Sequence, residues 1–442
     1  MIGIYMFIVA LGFLAIGYPV AFSFGAVSML FGAIAAYFEI IPDGGTMIEF
    51  YDEFLSMFSM MPFRIYSIMT NKILLAVPLF IFMGIVLQKS KLAEKLLEAM
   101  GTLFGNIRGG VAVSTIIVGT MLAASTGVVG ASVVAMGVIS LPVMLKYGYD
   151  KPLACGTICA SGTLGQIIPP SIILIILADV FGLPVGDLFK AAVVPSLMLV
   201  GAYILYILFI SYLKPSVAPA IVVDTNQSTS TKVLTALKAI VPPLGLIVVV
   251  LGSIFGGVAT PTESASVGAM GALLLAVFYK EFSLNLMMDS AKETVKITSM
   301  VFAILIGATA FSMVFVYTGA DSIVEEFMLG LPGDKWGFLI LSMLIILFLG
   351  FFIDFIEISY IVVPILLPIS QTIGIDPVWF AILIAMNLQT SFLTPPFGFS
   401  LFYLKGVAKN IKTTDIYKGV VPFIIIQILV LVSILLFPDF YI

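Results

Sequence analysis

The sequence predicts an all-α protein that crosses a membrane many times, and two observations support this prediction. Of its 442 residues, 61% are hydrophobic and only 10% are charged, with a mean hydropathy of +1.21. Water-soluble domains contain roughly 45–50% apolar and about 25% charged residues. Long apolar runs also recur along the whole chain, and a helical span needs about 20 such residues. The composition therefore excludes a soluble enzyme, a nucleic-acid-binding protein and a disordered scaffold.

Missing residue types narrow the chemistry further. The chain contains no histidine, which rules out Ser-His and Cys-His catalytic pairs and histidine-ligated metal sites. Its two cysteines, Cys155 and Cys159, lie one helical turn apart in an apolar stretch, and we interpret them as small core residues. No G-x-x-x-x-G-K-[ST] motif occurs, so we expect no transport driven by ATP bound to this chain. We also expect neither an enzyme nor an organic cofactor.

Apolar runs and turn signals divide the chain into two kinds of segment. Four segments are long and are interrupted by glycine, proline or polar residues: 109–145, 152–180, 336–371 and 377–405. The remaining runs predict ordinary membrane spans. These spans lie at 3–17, 19–38, 72–88, 193–213, 239–255, 261–279, 297–317 and 419–438.

The distribution of basic residues predicts the orientation in the membrane. If 109–145 and 336–371 each enter and leave on one side, 16 of the 20 basic residues fall on a single side. The positive-inside rule assigns that side to the cytoplasm and places both chain ends outside. The Ser/Thr-rich stretch 214–238 then forms a cytoplasmic linker between two halves.

The two halves contain an internal repeat. A shift of 226 residues gives eight identities over the 32 positions of 139–170. The informative matches are Pro142 with Pro368, Gly148 with Gly374, Asp150 with Asp376, and Pro169-Pro170 with Pro395-Pro396. In the topology derived from charge, the first copy starts in the cytoplasm and the second starts outside. The repeat is therefore predicted to be inverted, as in many secondary transporters.

Each copy predicts a helical hairpin followed by a broken helix. The arms of the first hairpin have about 15 residues, or roughly 22 Å of helix, which is too short to span a bilayer core. The hairpin tips fall at 125–130 and 350–357, and polar clusters at 161–166 and 387–391 precede the two proline pairs. Two prolines remove two backbone donors, so the freed carbonyls can bind Na⁺ or a hydroxyl. The half-helix that follows can hold a carboxylate at its N-terminus.

Two acids are predicted to lie deep in the membrane at the second tip. Asp354 and Glu357 are candidates to coordinate or neutralise a coupling cation, and we favour Asp354. The alternative is that the second tip is hydrated and both acids face water. No Lys or Arg lies in these central elements, so a carboxylate must be held by helix N-termini and hydroxyls. The candidate hydroxyls belong to Ser125, Thr126, Thr163 and Thr394.

Six stretches resemble the large membrane subunit of tripartite ATP-independent periplasmic (TRAP) transporters. They are PLFIFMGIVL (78–87), GASVVAMGVISLPVMLKYGYDKPLA (130–154), TLGQIIPPSI (163–172), GGVATPTESASVGA (256–269), DFIEISYIVVPILLPISQTIGIDPVWFAI (354–382) and NLQTSFLTPPFGFSLF (387–402). The resemblance implies a Na⁺-driven importer of organic acids in a bacterial inner membrane, working by an elevator movement. It also implies a small four-helix membrane subunit and a periplasmic substrate-binding protein as partners. Because the chain starts at the large subunit's first helix, the small subunit is expected to be separate.

The resemblance also implies two Na⁺ sites and a solute site at the hairpin tips. The first Na⁺ site falls on Ser125, Thr126, Gly127, Gly162 and Gly165. The second falls on Gly350, Asp354, Thr390 and Thr394. The substrate residues are Ser125, Thr163, Pro170, Asn387 and Pro396. The run Gln389-Thr390-Ser391-Phe392 is bulkier and less charged than is usual in the family, which leaves the substrate open.

The same reasoning divides the chain into scaffold and transport segments. Scaffold helices and an interfacial arm occupy 1–108, scaffold helices with the linker occupy 193–296, and a helix at 297–335 leads into the second repeat. The transport segments are 109–192 and 336–405, and a C-terminal helix occupies 406–442.

Alternative functions remain open at this point. The first is a stand-alone Na⁺/anion symporter of related inverted-repeat architecture. The second is an intramembrane enzyme, against which the lack of histidine and of a paired-aspartate motif argues. The third is a passive channel, although the sequence has neither a repeated carbonyl filter nor a charged ring.

Overall fold

The computed structural model describes residues 1–42, 44–220 and 229–441, without the side chains of Ala93, Ser125 and Thr229. In this part of the chain every regular element is a helix. Eight helices are long and apolar enough to cross a membrane, or nine if one bent pair forms a single span. The predicted all-α polytopic membrane class is thus confirmed.

The helices of the described ranges follow one another closely along the chain. A 3-10 turn (Leu164–Gln166) follows α9, and a π-helical segment (Ile358–Val362) follows α17. The helices are α1 (Ile2–Ile16), α2 (Val20–Ile40), α3 (Met47–Met57), α4 (Met61–Thr70), α5 (Ala76–Lys89), α6 (Leu92–Phe104), α7 (Gly110–Thr126), α8 (Val129–Lys146), α9 (Lys151–Thr163), α10 (Ile172–Phe181), α11 (Val185–Leu213), α12 (Thr229–Phe255), α13 (Pro261–Phe278), α14 (Leu284–Tyr317), α15 (Ala320–Leu329), α16 (Lys335–Leu349), α17 (Phe355–Glu357), α18 (Val363–Thr372), α19 (Pro377–Leu393), α20 (Phe399–Val407), α21 (Thr413–Leu436) and α22 (Pro438–Tyr441).

Contacts divide these helices into two compact units. Unit 1 contains 1–74 and 296–377, and unit 2 contains 75–295 and 378–442. The first hairpin and the two broken helices belong to unit 2, apart from Pro377 at the start of α19, whereas the second hairpin belongs to unit 1. The division into scaffold and transport segments concerns movement, and it stays a prediction.

Unit 1 has an aromatic core and a polar junction. The Phe311 ring of α14 lies 4.8 Å from that of Phe24 on α2, measured between centroids, in an edge-to-face arrangement that aromatic pairs favour. At the polar junction, the Tyr317 hydroxyl lies 2.6 Å from Glu39 Oε2 and 2.5 Å from Glu53 Oε1. This hydroxyl joins α2, α3 and α14.

Unit 2 is organised around α9, which is buried along nearly its whole length. It packs against α7, α8, α20 and α21. The approach of α21 is so close that a Cβ atom at Gly156 would overlap the carbonyl of Gly419, and one at Gly419 would overlap that of Pro152. Small residues of this kind let membrane helices approach closely. The two buried cysteines lie in this helix, free of disulfide bonds, as expected for core residues.

The starts of three long helices differ most from the sequence-based expectation. Helix α11 begins at Val185 instead of near 193, and α14 begins at Leu284 instead of near 297. Helix α12 begins at Thr229, so it takes up the last part of the predicted linker 214–238, whose central residues lie outside the described ranges. Each discrepancy arises because a helix continues beyond its apolar stretch into polar residues, which hydropathy alone does not register.

The elements of the two repeat copies start at matching positions. Helix α19 begins at Pro377, which is 226 residues after the first residue of α9, Lys151. Pro142 and Pro368 both lie inside helices, and Gly148 and Gly374 both adopt positive φ angles, of 78° and 76°. The inverted relationship between the copies stays a prediction.

Candidate functional site

The first broken helix is interrupted where the proline pair predicts. Helix α9 ends at Thr163, a 3-10 turn follows, and α10 begins only at Ile172. The Ser171 hydroxyl donates to the Gln166 carbonyl at 2.5 Å and accepts from the backbone N–H of Leu174 at 3.4 Å. This hydroxyl therefore joins the two sides of the break and caps α10. The peptide bond between the two prolines of the break is cis.

The tip of the first hairpin lies against this break. Gly127 ends α7 with a φ angle of 60°, and its N–H donates to the Ala123 carbonyl at 2.9 Å. A Cβ atom at Gly127 would lie 2.9 Å from Cγ1 of Ile172, at the start of α10. A Cβ atom at Gly165 would lie 2.5 Å from the Ala123 carbonyl oxygen. The tip thus touches both sides of the break, and only glycine fits at these two positions.

The predicted residues of the first Na⁺ site come together in this region. Thr126 Oγ1 lies 2.8 Å from Ser132 Oγ within the hairpin tip. Gly162 faces Val133 of α8 so closely that an added Cβ would overlap that side chain. Together with Gly127 and Gly165, these residues surround a break rich in backbone oxygens. The side chain of Ser125 lies outside the described part of the structure. Hydroxyls and unwound carbonyls are the groups that bind Na⁺ in broken transporter helices.

The second broken helix is interrupted between Leu393 and Phe399. Thr394 Oγ1 donates to the Thr390 carbonyl at 2.7 Å, and the Gly398 N–H donates to the Thr394 carbonyl at 3.0 Å. The peptide bond between the two prolines, Pro395-Pro396, is cis here also. The break is therefore held by its own hydroxyls and backbone, without a charged group.

The predicted substrate residues lie at the two breaks of unit 2. Thr163 is buried and donates to the Ala160 carbonyl at 2.9 Å, and Asn387 is 2% exposed. Pro170 is buried in the first break, whereas Pro396 is exposed in the second, where its carbonyl accepts from the Tyr417 hydroxyl at 2.8 Å. The assignment of solute contacts to these residues stays a prediction.

The second hairpin, in unit 1, carries the two acids. Asp354 is half-buried and accepts at 2.7 Å from the N–H of Phe355, which starts the returning arm. Glu357 is only 4% exposed, and its Oε2 atom has no hydrogen-bond partner among the described residues. A π-helical segment follows directly, a feature that is frequent at functional sites. The sequence favoured Asp354, and the structure shows Glu357 to be the more buried acid.

The four residues predicted for the second Na⁺ site are divided between the two units. Gly350 and Asp354 belong to unit 1, whereas Thr390 and Thr394 belong to unit 2. Gly350 is the residue at which α16 ends, and Thr390 Oγ1 donates to the Met386 carbonyl at 2.9 Å. The assignment of this site stays a prediction.

Two buried glutamines were not among the predicted site residues. Gln166 and Gln389 are both 0% exposed, and none of their four amide atoms has a hydrogen-bond partner among the residues described. Leaving a buried donor or acceptor unpaired costs about 1–3 kcal/mol. A long polar amide beside each proline pair is the signal in the sequence that could have identified them.

The two breaks and the helical turns beside them are free of basic residues. The sequence has no Lys or Arg between 152 and 181 or between 378 and 404. An anion that binds here therefore contacts only hydroxyls, amides, backbone N–H groups and helix N-termini. Together, the apolar bundle, the two broken helices and the closely packed hairpin tip define a membrane transport protein of the secondary class.

Comparison with known proteins identifies the family. Residues 7–440 match the family model described as "Tripartite ATP-independent periplasmic transporter, DctM component", and the chain belongs to this family. It is accordingly a large permease subunit integral to the inner membrane, and the alternative of an intramembrane enzyme is wrong.

Individual relatives are similar over most of this chain. The isethionate TRAP transporter permease protein of Oleidesulfovibrio alaskensis is 31% identical over 95% of this chain, which spans 62% of that protein's length. The C4-dicarboxylate TRAP transporter large permease protein of Rhodobacter capsulatus is 31% identical over 83% of this chain and 85% of its own. The sialic acid TRAP transporter large permease protein of Vibrio cholerae is 28% identical over 97% of this chain and 95% of its own.

A solved structure shares the fold. The crystal structure of the Alcanivorax borkumensis YdaH transporter, described as having an unusual topology, superposes with a TM-score of 0.61. The match covers 88% of this chain and 89% of that chain at 13% sequence identity. At this identity the likeness concerns the fold alone.

Proposed function

We propose that this chain is the permease subunit of a Na⁺-coupled importer of organic acids. The observation that carries the proposal is the meeting of the first hairpin tip with the break between α9 and α10. There, Thr126, Gly127, Gly162 and Gly165 surround a region that offers oxygen ligands and no basic side chain. The relatives named for isethionate, C4-dicarboxylates and sialic acid all handle organic acids, which supports the solute class.

Each half of a broken helix has its own role in this proposal. The C-terminal end of α9 carries the negative end of its dipole and its last backbone carbonyls, which favour Na⁺. The N-terminal end of α10, capped by Ser171, carries the positive end and favours a carboxylate. A cation and an anionic solute are thus bound at one break, and each stabilises the other electrostatically. Within unit 1, the acids of the second hairpin, Asp354 and Glu357, supply the negative charge for a second Na⁺ site.

The proposed partners follow from the tripartite family. A periplasmic binding protein delivers the solute, and a small membrane subunit of four helices supports the permease. The segments 109–192 and 336–405 move together as the transport domain in an elevator movement, while the remaining helices form the scaffold. Na⁺ bound at the tips permits this movement only when solute is also bound.

Uptake into proteoliposomes tests this proposal. The permease is reconstituted with its small subunit, with or without an inward Na⁺ gradient and with or without the cognate binding protein. We expect accumulation of an organic acid only when both are present. Accumulation that needs Na⁺ but no binding protein would instead favour a stand-alone Na⁺/anion symporter, and accumulation without a Na⁺ gradient would contradict the coupling.

A further inference from the structure

The buried amides of Gln166 and Gln389 are the strongest unexplained feature of the broken helices. Each side chain is fully buried, and neither its nitrogen nor its oxygen forms a hydrogen bond within the described ranges. Folded proteins pair the great majority of their buried polar groups, so orphaned groups demand an explanation. Two complete amides in the same unit are thus left without partners among the described residues, which points to a ligand as the missing partner.

Their positions indicate where that partner binds. Gln166 is the last residue of the 3-10 turn in the first break, and the neighbouring Gly165 lies against the Ala123 carbonyl at the hairpin tip. Gln389 precedes Thr390 in the last turns of α19, just before the second break. The two broken helices also meet directly, because the rings of Phe181 and Phe380 lie 6.0 Å apart between centroids. Gln166 therefore lies in the first break, where the proposed function places the solute, and Gln389 lies in the turns directly before the second break.

The chemistry of an amide restricts the ligand. Each glutamine presents two N–H donors and one carbonyl acceptor with two lone pairs. A plain carboxylate at neutral pH only accepts hydrogen bonds, so it would satisfy the nitrogens and leave both amide oxygens unpaired. A solute that also carries a hydroxyl or amino group satisfies both ends of the amides. No Lys or Arg lies between 152 and 181 or between 378 and 404, so no basic side chain of these segments can recognise an acid. The amide N–H groups take that role instead.

We propose that Gln166 and Gln389 bind the transported solute directly, and that this solute is a small organic acid bearing a hydroxyl or amino donor. This inference rests on the proposed function. The amide nitrogens donate to the acid's oxygens, and the amide oxygens accept from its hydroxyl or amino group. Removal of either amide weakens the binding of hydroxylated acids more than that of their deoxy analogues, because only the former also lose the hydrogen bond to the amide oxygen.

Leucine substitutions test the proposal, because leucine has a similar size and no polar atoms. Replacing an orphaned amide with an apolar side chain leaves folding unaffected or improved, so Gln166→Leu and Gln389→Leu should melt at or above the wild-type temperature. Matched controls are Thr157→Val on α9 and Gln427→Leu on α21, which remove buried polar side chains outside the two breaks. A ligand-binding role predicts loss of solute binding in the first two variants only.

Binding is measured on the purified wild-type protein and its variants by the solute-induced shift in melting temperature, in the presence of Na⁺. The probes are pairs that differ in one hydroxyl: malate with succinate, lactate with propionate, and isethionate with ethanesulfonate. We expect the wild type to prefer the hydroxylated member of at least one pair by about 10-fold or more, and each leucine variant to lose that preference.

Several results would overturn the inference. These are equal binding within every pair, no binding of any pair, unchanged preference in both leucine variants, or an equal loss in the Thr157→Val and Gln427→Leu controls. The proposed function is judged separately, by Na⁺-driven uptake in the wild type. Binding in detergent with the predicted preference but no Na⁺ coupling would contradict the proposed function and leave this inference intact.

Discussion

The two hairpin tips share an origin in the predicted repeat but offer different chemistry. The first tip, around Gly127, brings hydroxyls and backbone oxygens to a break without charged side chains. The second tip carries Asp354 and Glu357, and the latter is almost completely buried. A buried carboxylate in an apolar protein requires a cation or a proton, whereas neutral oxygens bind a cation only weakly on their own. The comparison therefore predicts that transport depends on close packing at the first tip and on negative charge at the second tip.

The largest effect is expected when the packing at the first tip is disturbed. Gly165→Ala places a Cβ 2.5 Å from the Ala123 carbonyl oxygen, which is closer than van der Waals contact allows, so one of the two backbones must shift. We expect the substitution to abolish uptake and to lower the free energy of unfolding by about 1–3 kcal/mol. Uptake assays and melting temperatures measure the two effects.

A matched glycine supplies the control for this prediction. Gly201 lies inside α11, and a Cβ there meets no atom within 4 Å. Gly201→Ala should therefore leave uptake and stability near those of the wild type. Normal uptake by Gly165→Ala would show that the first tip does not depend on its close contact with the break.

The second tip should respond to the loss of charge instead. Asp354→Asn and Glu357→Gln keep the shape of each side chain and remove its negative charge. We expect either change to raise the Na⁺ concentration for half-maximal uptake by about 10-fold or more, because a carboxylate ligand of a buried cation is lost. Na⁺ titration of uptake in proteoliposomes measures this shift.

The relative size of the two shifts sharpens the comparison further. The sequence favours Asp354 as the Na⁺ ligand, whereas the deeper burial of Glu357 makes it the acid with the greater need for a counter-ion. A larger shift for Asp354→Asn would support direct coordination by the capping residue. Wild-type Na⁺ activation in both variants would contradict the assignment of the second tip to cation binding.

The breaks and the first tip could be predicted because their causes are local. Proline lacks an N–H group and restricts the preceding residue, so the pairs at 169–170 and 395–396, each preceded by a polar cluster, favour a helix end there. The structure places helix ends at Thr163 and Leu393, close to both pairs. Gly127 likewise ends α7 in the left-handed conformation that glycine tolerates best.

Features that depend on distant parts of the chain could not be predicted in this way. The burial of Gln166 and Gln389 results from helices that are far away in sequence, and a polar amide gives no local sign of being enclosed. Helices α3 and α4 were missed because each is shorter than a membrane span. Charged and polar residues also interrupt their apolar residues, so neither forms a long apolar run. The capping box formed by Thr46 and Glu49 marks the start of α3 and was the available signal.

The proline pairs should have a smaller effect than the acids. Pro170→Ala or Pro396→Ala restores one backbone donor, which can then take a carbonyl away from a bound ion or solute. We expect uptake to fall several-fold while membrane insertion stays intact, because the first proline of each pair, Pro169 or Pro395, remains. Uptake normalised to the amount of protein in the membrane measures the effect. Equal losses in both variants would indicate that both breaks carry ligands, and normal uptake in both would remove the breaks from the mechanism.

The smallest effect is expected for an acid that lies away from both tips. Glu281, between α13 and α14, accepts from Lys95 Nζ at 3.0 Å, and this hydrogen bond lowers the pKa of the carboxyl. Because the pKa is lowered in the folded state, the ionised carboxyl stabilises the protein above the ordinary pKa of glutamate. This stabilisation is lost as the pH falls through the lowered pKa. Glu281→Gln should therefore reduce the melting temperature slightly at pH 7, should not change it in acid, and should leave the Na⁺ titration unchanged, since exposed ion pairs contribute little. A shift in Na⁺ dependence as large as that of Glu357→Gln would mean that overall negative charge, and not the position of the carboxylate at the second tip, determines cation binding.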